Sequence, residues 1–136
     1  MKIGFCRTCI SPPIGTKLGG YASRVDPSIG ILDDLYSRCI AIEYNDEIIA
    51  IVVLDILGIP RDLWKEITSK IARELGIPID NVLIIATHTH SGPAILHLLV
   101  TPTKKSVEYV KELPNRIAGV VRKACEDMKE AEIGAI

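Results

Sequence analysis

Apolar and polar positions alternate loosely from Lys2 to Ile10, the period-two pattern of a first strand. Two further β-rich runs, Leu35 to Tyr44 and Glu47 to Ile56, are separated only by Asn45-Asp46, which is the spacing of a tight hairpin. The stretch Ile48 to Leu54 carries no polar residue, so it reads as a strand apolar on both faces and central in its sheet. The period then changes. Pro60 precedes Leu63, Ile67, Ile71 and Leu75, which recur at helical spacing up to a stop at Gly76. Val82-Leu83-Ile84-Ile85 is a short buried strand, and Ser106 to about Met128 is helical, with Pro114 kinking or dividing it. Glu132 to Ile136 reads as the start of a last strand. The order β-ββ-α-β-α-β predicts one α/β domain over residues 1–136, a mixed sheet flanked by helices, with no internal repeat or linker.

Between the first two strands lies Ser11 to Asp34, a long segment rich in Pro and Gly. Loops of that length without secondary structure are usually functional or disordered, and here a functional loop crossing the open end of the sheet is expected. Gly19, Gly20 and Tyr21 are its candidate substrate-binding residues. Arg24 and Arg38 lie in or near the same edge, where a planar guanidinium could orient a carbonyl or carboxylate, or simply be solvated.

Composition narrows the function. Ile occurs 22 times among 136 residues while aromatics make up 4%, which favours an aliphatic core over an aromatic platform for nucleic acid. The formal net charge is −1 with both signs interspersed, so no basic stripe points to DNA or RNA. The most apolar stretch, Ile48 to Ile59, is broken by Asp55 and too short to span a bilayer, and the N-terminal residues lack a secretory apolar region. A cytoplasmic protein is expected. Cys6 and Cys9 have the spacing of a zinc or redox pair, but on a strand they face opposite sides and no second pair exists. Buried free thiols are the default reading.

The chemistry concentrates in Ala86-Thr87-His88-Thr89-His90-Ser91-Gly92-Pro93. If the strand continues through it, His88 and His90 share one face, and two imidazoles at a strand end can chelate a metal ion. They could instead bond backbone or water on a solvated edge. Two of the chain's three histidines sit here. The third, His97, lies among apolar neighbours and reads better as partly buried than as a ligand. Asp55, at the end of a strand parallel to the histidine strand, is a candidate ligand, imidazole acceptor or loop cap.

These residues occur in one order, Ile10-Ser11-Pro12-Pro13-Ile14-Gly15, Gly19-Gly20-Tyr21, Asp34-Leu35-Tyr36-Ser37-Arg38, Leu54-Asp55 and Thr87 to Pro93. That series resembles the N-terminal part of the neutral/alkaline non-lysosomal ceramidases over nearly the whole chain. The resemblance implies a zinc-dependent hydrolase of the amide bond in N-acylsphingosines, hence sphingolipid metabolism, with His88 and His90 as zinc ligands. Zinc would polarise the carbonyl and lower the pKa of water. Members of the family are several times longer, and their remaining zinc ligands and reactive serine lie downstream of the matched region. Leu32 stands where relatives often carry a His.

Two other His-x-His chemistries fit less well. The metallo-β-lactamase pattern needs an Asp and a further His after the pair, and neither is present. The amidohydrolase barrel needs more than 136 residues. Two functions therefore remain. One is a ceramidase-like amide hydrolase acting on an acylated amine or lipid, completed by a downstream chain or a second copy, with Asp55 and Arg38 as candidate catalytic residues. The other is a non-catalytic metal-binding or structural domain.

Overall fold

A computed structural model describes residues 1–96 and 103–134. Five strands form one mixed sheet in the order β4-β3-β2-β1-β5. They are β1 (Lys2–Cys9), β2 (Tyr36–Tyr44), β3 (Glu47–Leu54), β4 (Val82–Ala86) and β5 (Lys129–Glu130), with helices α1 (Arg61–Leu75) and α2 (Lys104–Glu126). The mixed α/β architecture and element order follow the sequence expectation. Neighbouring strands are antiparallel except β3 and β4, which run parallel as a pair joined through α1.

Local chemistry explains the joints. Asn45 (φ 49°) and Asp46 (φ 63°) both occupy the left-handed region, so the two-residue turn twists in the sense that β2 and β3 require. Helix α1 ends at Gly76 (φ 71°), whose N–H donates to the Ala72 carbonyl at 3.1 Å. Thr103 caps α2, its hydroxyl accepting the Ser106 N–H at 3.2 Å.

Both helices pack on one face of the sheet. Ala50, Val52 and Leu54 of β3 meet Ile67 and Ile71 of α1 and Ile117, Val120 and Val121 of α2 in a single buried cluster. Gly4 brings β1 close to the end of α2, where any side chain would collide with the Ala124 carbonyl. The tyrosine of α2 reaches furthest: Tyr109 Oη donates to the Ile10 carbonyl at 2.6 Å, and burial raises its pKa. Cys39 lies inside, and the same burial pushes its thiol up to about 12.

Four expectations change. Pro114 does not divide the second helix, which runs as one element through that buried residue. Among the described residues the last strand is Lys129–Glu130, Glu132 to Gly134 form none, and Ala135 and Ile136 of the expected strand lie outside the described residues. The β1 edge has Ile3 and Lys2 free to pair there, so the chain joins the sheet immediately after α2. Cys6 packs against the core, but Cys9, the last residue of β1, shares the face of Phe5 and Arg7 and is exposed. Finally, β3 is internal to the sheet as expected, but only one of its two apolar faces is covered.

Candidate functional site

The parallel pair β3 and β4 ends at Leu54 and Ala86, which are register partners, and both chains leave the sheet side by side. Thr87 and His88 remain tied to the neighbouring segment, their N–H groups donating to the Leu54 carbonyl at 3.0 Å and the Ile56 carbonyl at 3.1 Å. The two histidines therefore lie in the loop after β4, not on the strand itself. His88 takes φ 61°, a left-handed conformation uncommon for a residue with a side chain, which ends the strand alternation. The pair still converges, with ring centroids 5.1 Å apart and planes at 67°.

A backbone group orients the first ring. His88 Nδ1 lies 2.7 Å from the Leu57 carbonyl oxygen. A carbonyl can only accept, so Nδ1 carries the proton and the Nε2 lone pair is left for a ligand.

The long loop holds the second ring. Gly19 donates its N–H to the Gly92 carbonyl at 3.0 Å, and Ala94 donates to the Lys17 carbonyl at 2.9 Å. Gly20 (φ 103°) passes so close to His90 that a Cβ there would lie 2.5 Å from the imidazole Cγ. Tyr21 stands edge-on to His90 with centroids 5.0 Å apart. The Arg24 guanidinium donates to the His90 carbonyl at 2.7 Å and lies 4.8 Å from the Tyr21 ring centre. The loop thus crosses the strand ends as its composition suggested, and Gly20, Tyr21 and Arg24 all act on His90.

Asp55 turns elsewhere. Its Oδ2 accepts from the Tyr36 N–H at 2.9 Å and from Arg38 Nη1 at 2.8 Å, tying the end of β3 to β2. Arg38 also stacks on Tyr36, 5.2 Å from its ring centre. Among the described residues no group of three or more His, Cys, Asp or Glu side chains could hold a metal ion. His97 lies outside the described residues.

Beside the histidines is a cavity of about 380 Å³ lined by Ser11, Pro12, Leu18, Leu32, Thr89 and Ser91, the last two flanking His90 in sequence. Its far wall is organised by Asp34, which accepts from Ser11 Oγ at 2.7 Å and from Cys9 Sγ at 3.4 Å. Those two donors hold its carboxyl below the ordinary range. Leu32 lines this cavity. The Leu57 acceptor and the Ser11–Asp34 brace were not visible in the sequence, since one is a main-chain group and the other joins ordinary polar residues.

The profile described as "Neutral/alkaline non-lysosomal ceramidase, N-terminal" matches residues 2–135. The chain belongs to that family. The ceramidase fold is also seen in solved structures. The neutral ceramidase of Pseudomonas aeruginosa superposes with a TM-score of 0.77 at 21% identity, covering 94% of this chain and 22% of that one. A structure described as ceramidase complexed with C2 gives a TM-score of 0.76 at 21% identity, covering 94% of this chain and 21% of that one. This ceramidase-family chain therefore spans about a fifth of the length of those structures. No curated protein matches it. No helix among its described residues is long and apolar enough to cross a membrane.

Proposed function

We propose that His88 and His90 are two ligands of a zinc site for ceramidase-type hydrolysis of an N-acyl amine, completed by ligands from the part of the ceramidase fold that this chain does not span. One observation carries the reading: the Leu57 carbonyl fixes the His88 tautomer with Nε2 free, while His90 stands 5.1 Å away, ring to ring. A hydrogen-bonded partner on the non-ligating nitrogen is the usual support of a metal-binding imidazole. The donor set fits zinc, which takes imidazole nitrogen readily. When bound, zinc would supply Lewis acidity toward an amide carbonyl and toward water.

The chain's own residues bind and orient. Gly20 leaves room for His90, and Arg24 holds its main-chain carbonyl in place. The cavity beside Thr89 and Ser91 would accept part of the substrate, and its Leu18 and Leu32 walls suit an apolar group. A catalytic zinc generally needs three protein ligands and an open position. His88 and His90 supply two, so hydrolysis requires completion of the site, and the pair by itself would bind metal weakly.

Zinc titration by calorimetry tests this. Weak binding is expected, lost in His88→Ala and in His90→Ala while circular dichroism stays unchanged. Zinc binding indifferent to His88→Ala would overturn the assignment. Hydrolysis of an N-acyl amine should appear only when a polypeptide supplying the rest of the ceramidase site is added.

A further inference from the structure

The main chain that holds His88 is itself shaped by one carboxylate. Thr87 N–H donates to the Leu54 carbonyl at 3.0 Å, His88 N–H to the Ile56 carbonyl at 3.1 Å, and His88 Nδ1 lies 2.7 Å from the Leu57 oxygen. All three acceptors are main-chain groups of residues 54–57. The orientation of the ring therefore follows the path that the chain takes after β3.

That path bends at Asp55. The Ile56 N–H returns to the Leu54 carbonyl at 2.9 Å, closing a three-residue turn with Asp55 at its centre. One step beyond Ser37 and Leu54, the register brings Tyr36 opposite Asp55, and the Asp55 N–H donates to the Tyr36 carbonyl at 2.9 Å. In an antiparallel pair of that kind the Tyr36 N–H would return to the Asp55 carbonyl. It goes instead to Asp55 Oδ2, also at 2.9 Å. The side chain has replaced its own carbonyl in the ladder. The released carbonyl lies against Gly92, 3.4 Å from where a Cβ would stand there. Arg38 Nη1 donates to the same Oδ2 at 2.8 Å while its guanidinium rests 5.2 Å from the Tyr36 ring centre, so the carboxylate is held toward β2 by a charge-assisted bond. Without that carboxylate, the Tyr36 N–H would lose its partner or draw the Asp55 carbonyl back and straighten the turn.

We infer that Asp55 is a positioning residue for His88: by taking the place of its own carbonyl in the β2 ladder, its carboxylate lets the chain turn after β3 and present the Ile56 and Leu57 carbonyls to the histidine. Asp55 bonds to Tyr36 and Arg38 and reaches the imidazole only through the main chain. A ring without the Leu57 acceptor is free to take either tautomer, and only the one protonated at Nδ1 leaves Nε2 for a metal. The effect of Asp55 on zinc rests on the reading of His88 as a ligand; its effect on the tautomer does not.

Long-range proton–nitrogen-15 spectra of the full chain at alkaline pH, without metal, read the His88 tautomer, and zinc calorimetry reads its consequence. The wild-type ring should show one species, protonated at Nδ1. Asp55→Ala should mix the two tautomers and weaken zinc binding about tenfold. Asp55→Asn, whose amide oxygen still accepts the Tyr36 N–H, should keep the wild-type tautomer and most of the affinity. Gly4→Ala, on β1 against α2, should lower stability and leave both readings unchanged, which separates positioning from general loosening. Should Asp55→Ala not fold, Arg38→Ala keeps the carboxylate but frees it, and should mix the tautomers in the same direction. A His88 tautomer unchanged in Asp55→Ala, or in Arg38→Ala where that variant replaces it, would overturn the inference even with His88-dependent zinc binding intact. Zinc binding indifferent to His88→Ala, with the tautomer still mixed in Asp55→Ala, would overturn the ligand reading and support the positioning.

Discussion

Single residues carry the site, and their strain states what each is for. Gly20 tolerates φ 103° and the 2.5 Å approach of His90 only because it lacks a Cβ. Gly20→Ala should therefore push the imidazole away from His88, with a stability loss of about 1–3 kcal/mol from overpacking and strain. Thermal unfolding and zinc titration would both register it, and unchanged zinc affinity would show that the loop does not set the ring. Asp34 gives a pH signature. Its folded-state pKa is depressed by the Ser11 hydroxyl first and the Cys9 thiol second. The stabilisation is complete above the unfolded value, about 4, and is lost only as pH falls through the lower folded value. Amide resonances of Ser11 and Leu35 should hold steady from neutral pH to about 4 and move below it. In Asp34→Asn that acid transition should vanish. A transition at the ordinary carboxylate pH in the unmodified chain would contradict the brace.

At the level of elements, two glycines make opposite predictions. Gly4 is the point where β1 lies against α2, and a methyl group there collides with the Ala124 carbonyl. Gly4→Ala should cost about 1–3 kcal/mol, since backbone must move. Gly119, inside α2, has open space around its Cβ position, so Gly119→Ala should gain about 0.5–1 kcal/mol through helix propensity. Chemical denaturation of the two variants checks both signs. The elements themselves were legible because their punctuation is chemical: Asn45-Asp46, Gly76, and the 63–67–71 spacing each have one local solution. Pro114 does not divide α2, because the helix is held through that point by Leu113 and Ile117 on either side of it, both buried. The histidine pair was legible as a pair but not as geometry. Alternation put both on a strand face, whereas His88 adopts a left-handed turn that ties its ring to a main-chain oxygen, and no residue letter encodes that acceptor.

For the whole molecule, the sequence showed that β3 is apolar on both sides but not that helices would cover only one. Which face a helix takes depends on chain connections, and α1 and α2 both fall on the same side. The stitching of the long loop to the histidine loop has a kinetic consequence. Gly19 bonds Gly92, and Lys17 bonds Ala94, across more than seventy intervening residues that include three strands and α1. Closing so large a loop has an entropic cost that is recovered only once the intervening sheet exists. The convergence of His88 and His90 should therefore form last on refolding, after the hairpin and α1. Stopped-flow refolding with a zinc-competing dye would show dye competition lagging the far-ultraviolet signal. Dye competition that rises together with the first helical signal would mean that the pair forms locally, without the loop. Variants such as Gly20→Ala should then raise the unfolding rate and leave the folding rate nearly unchanged, since they act on contacts absent from the transition state.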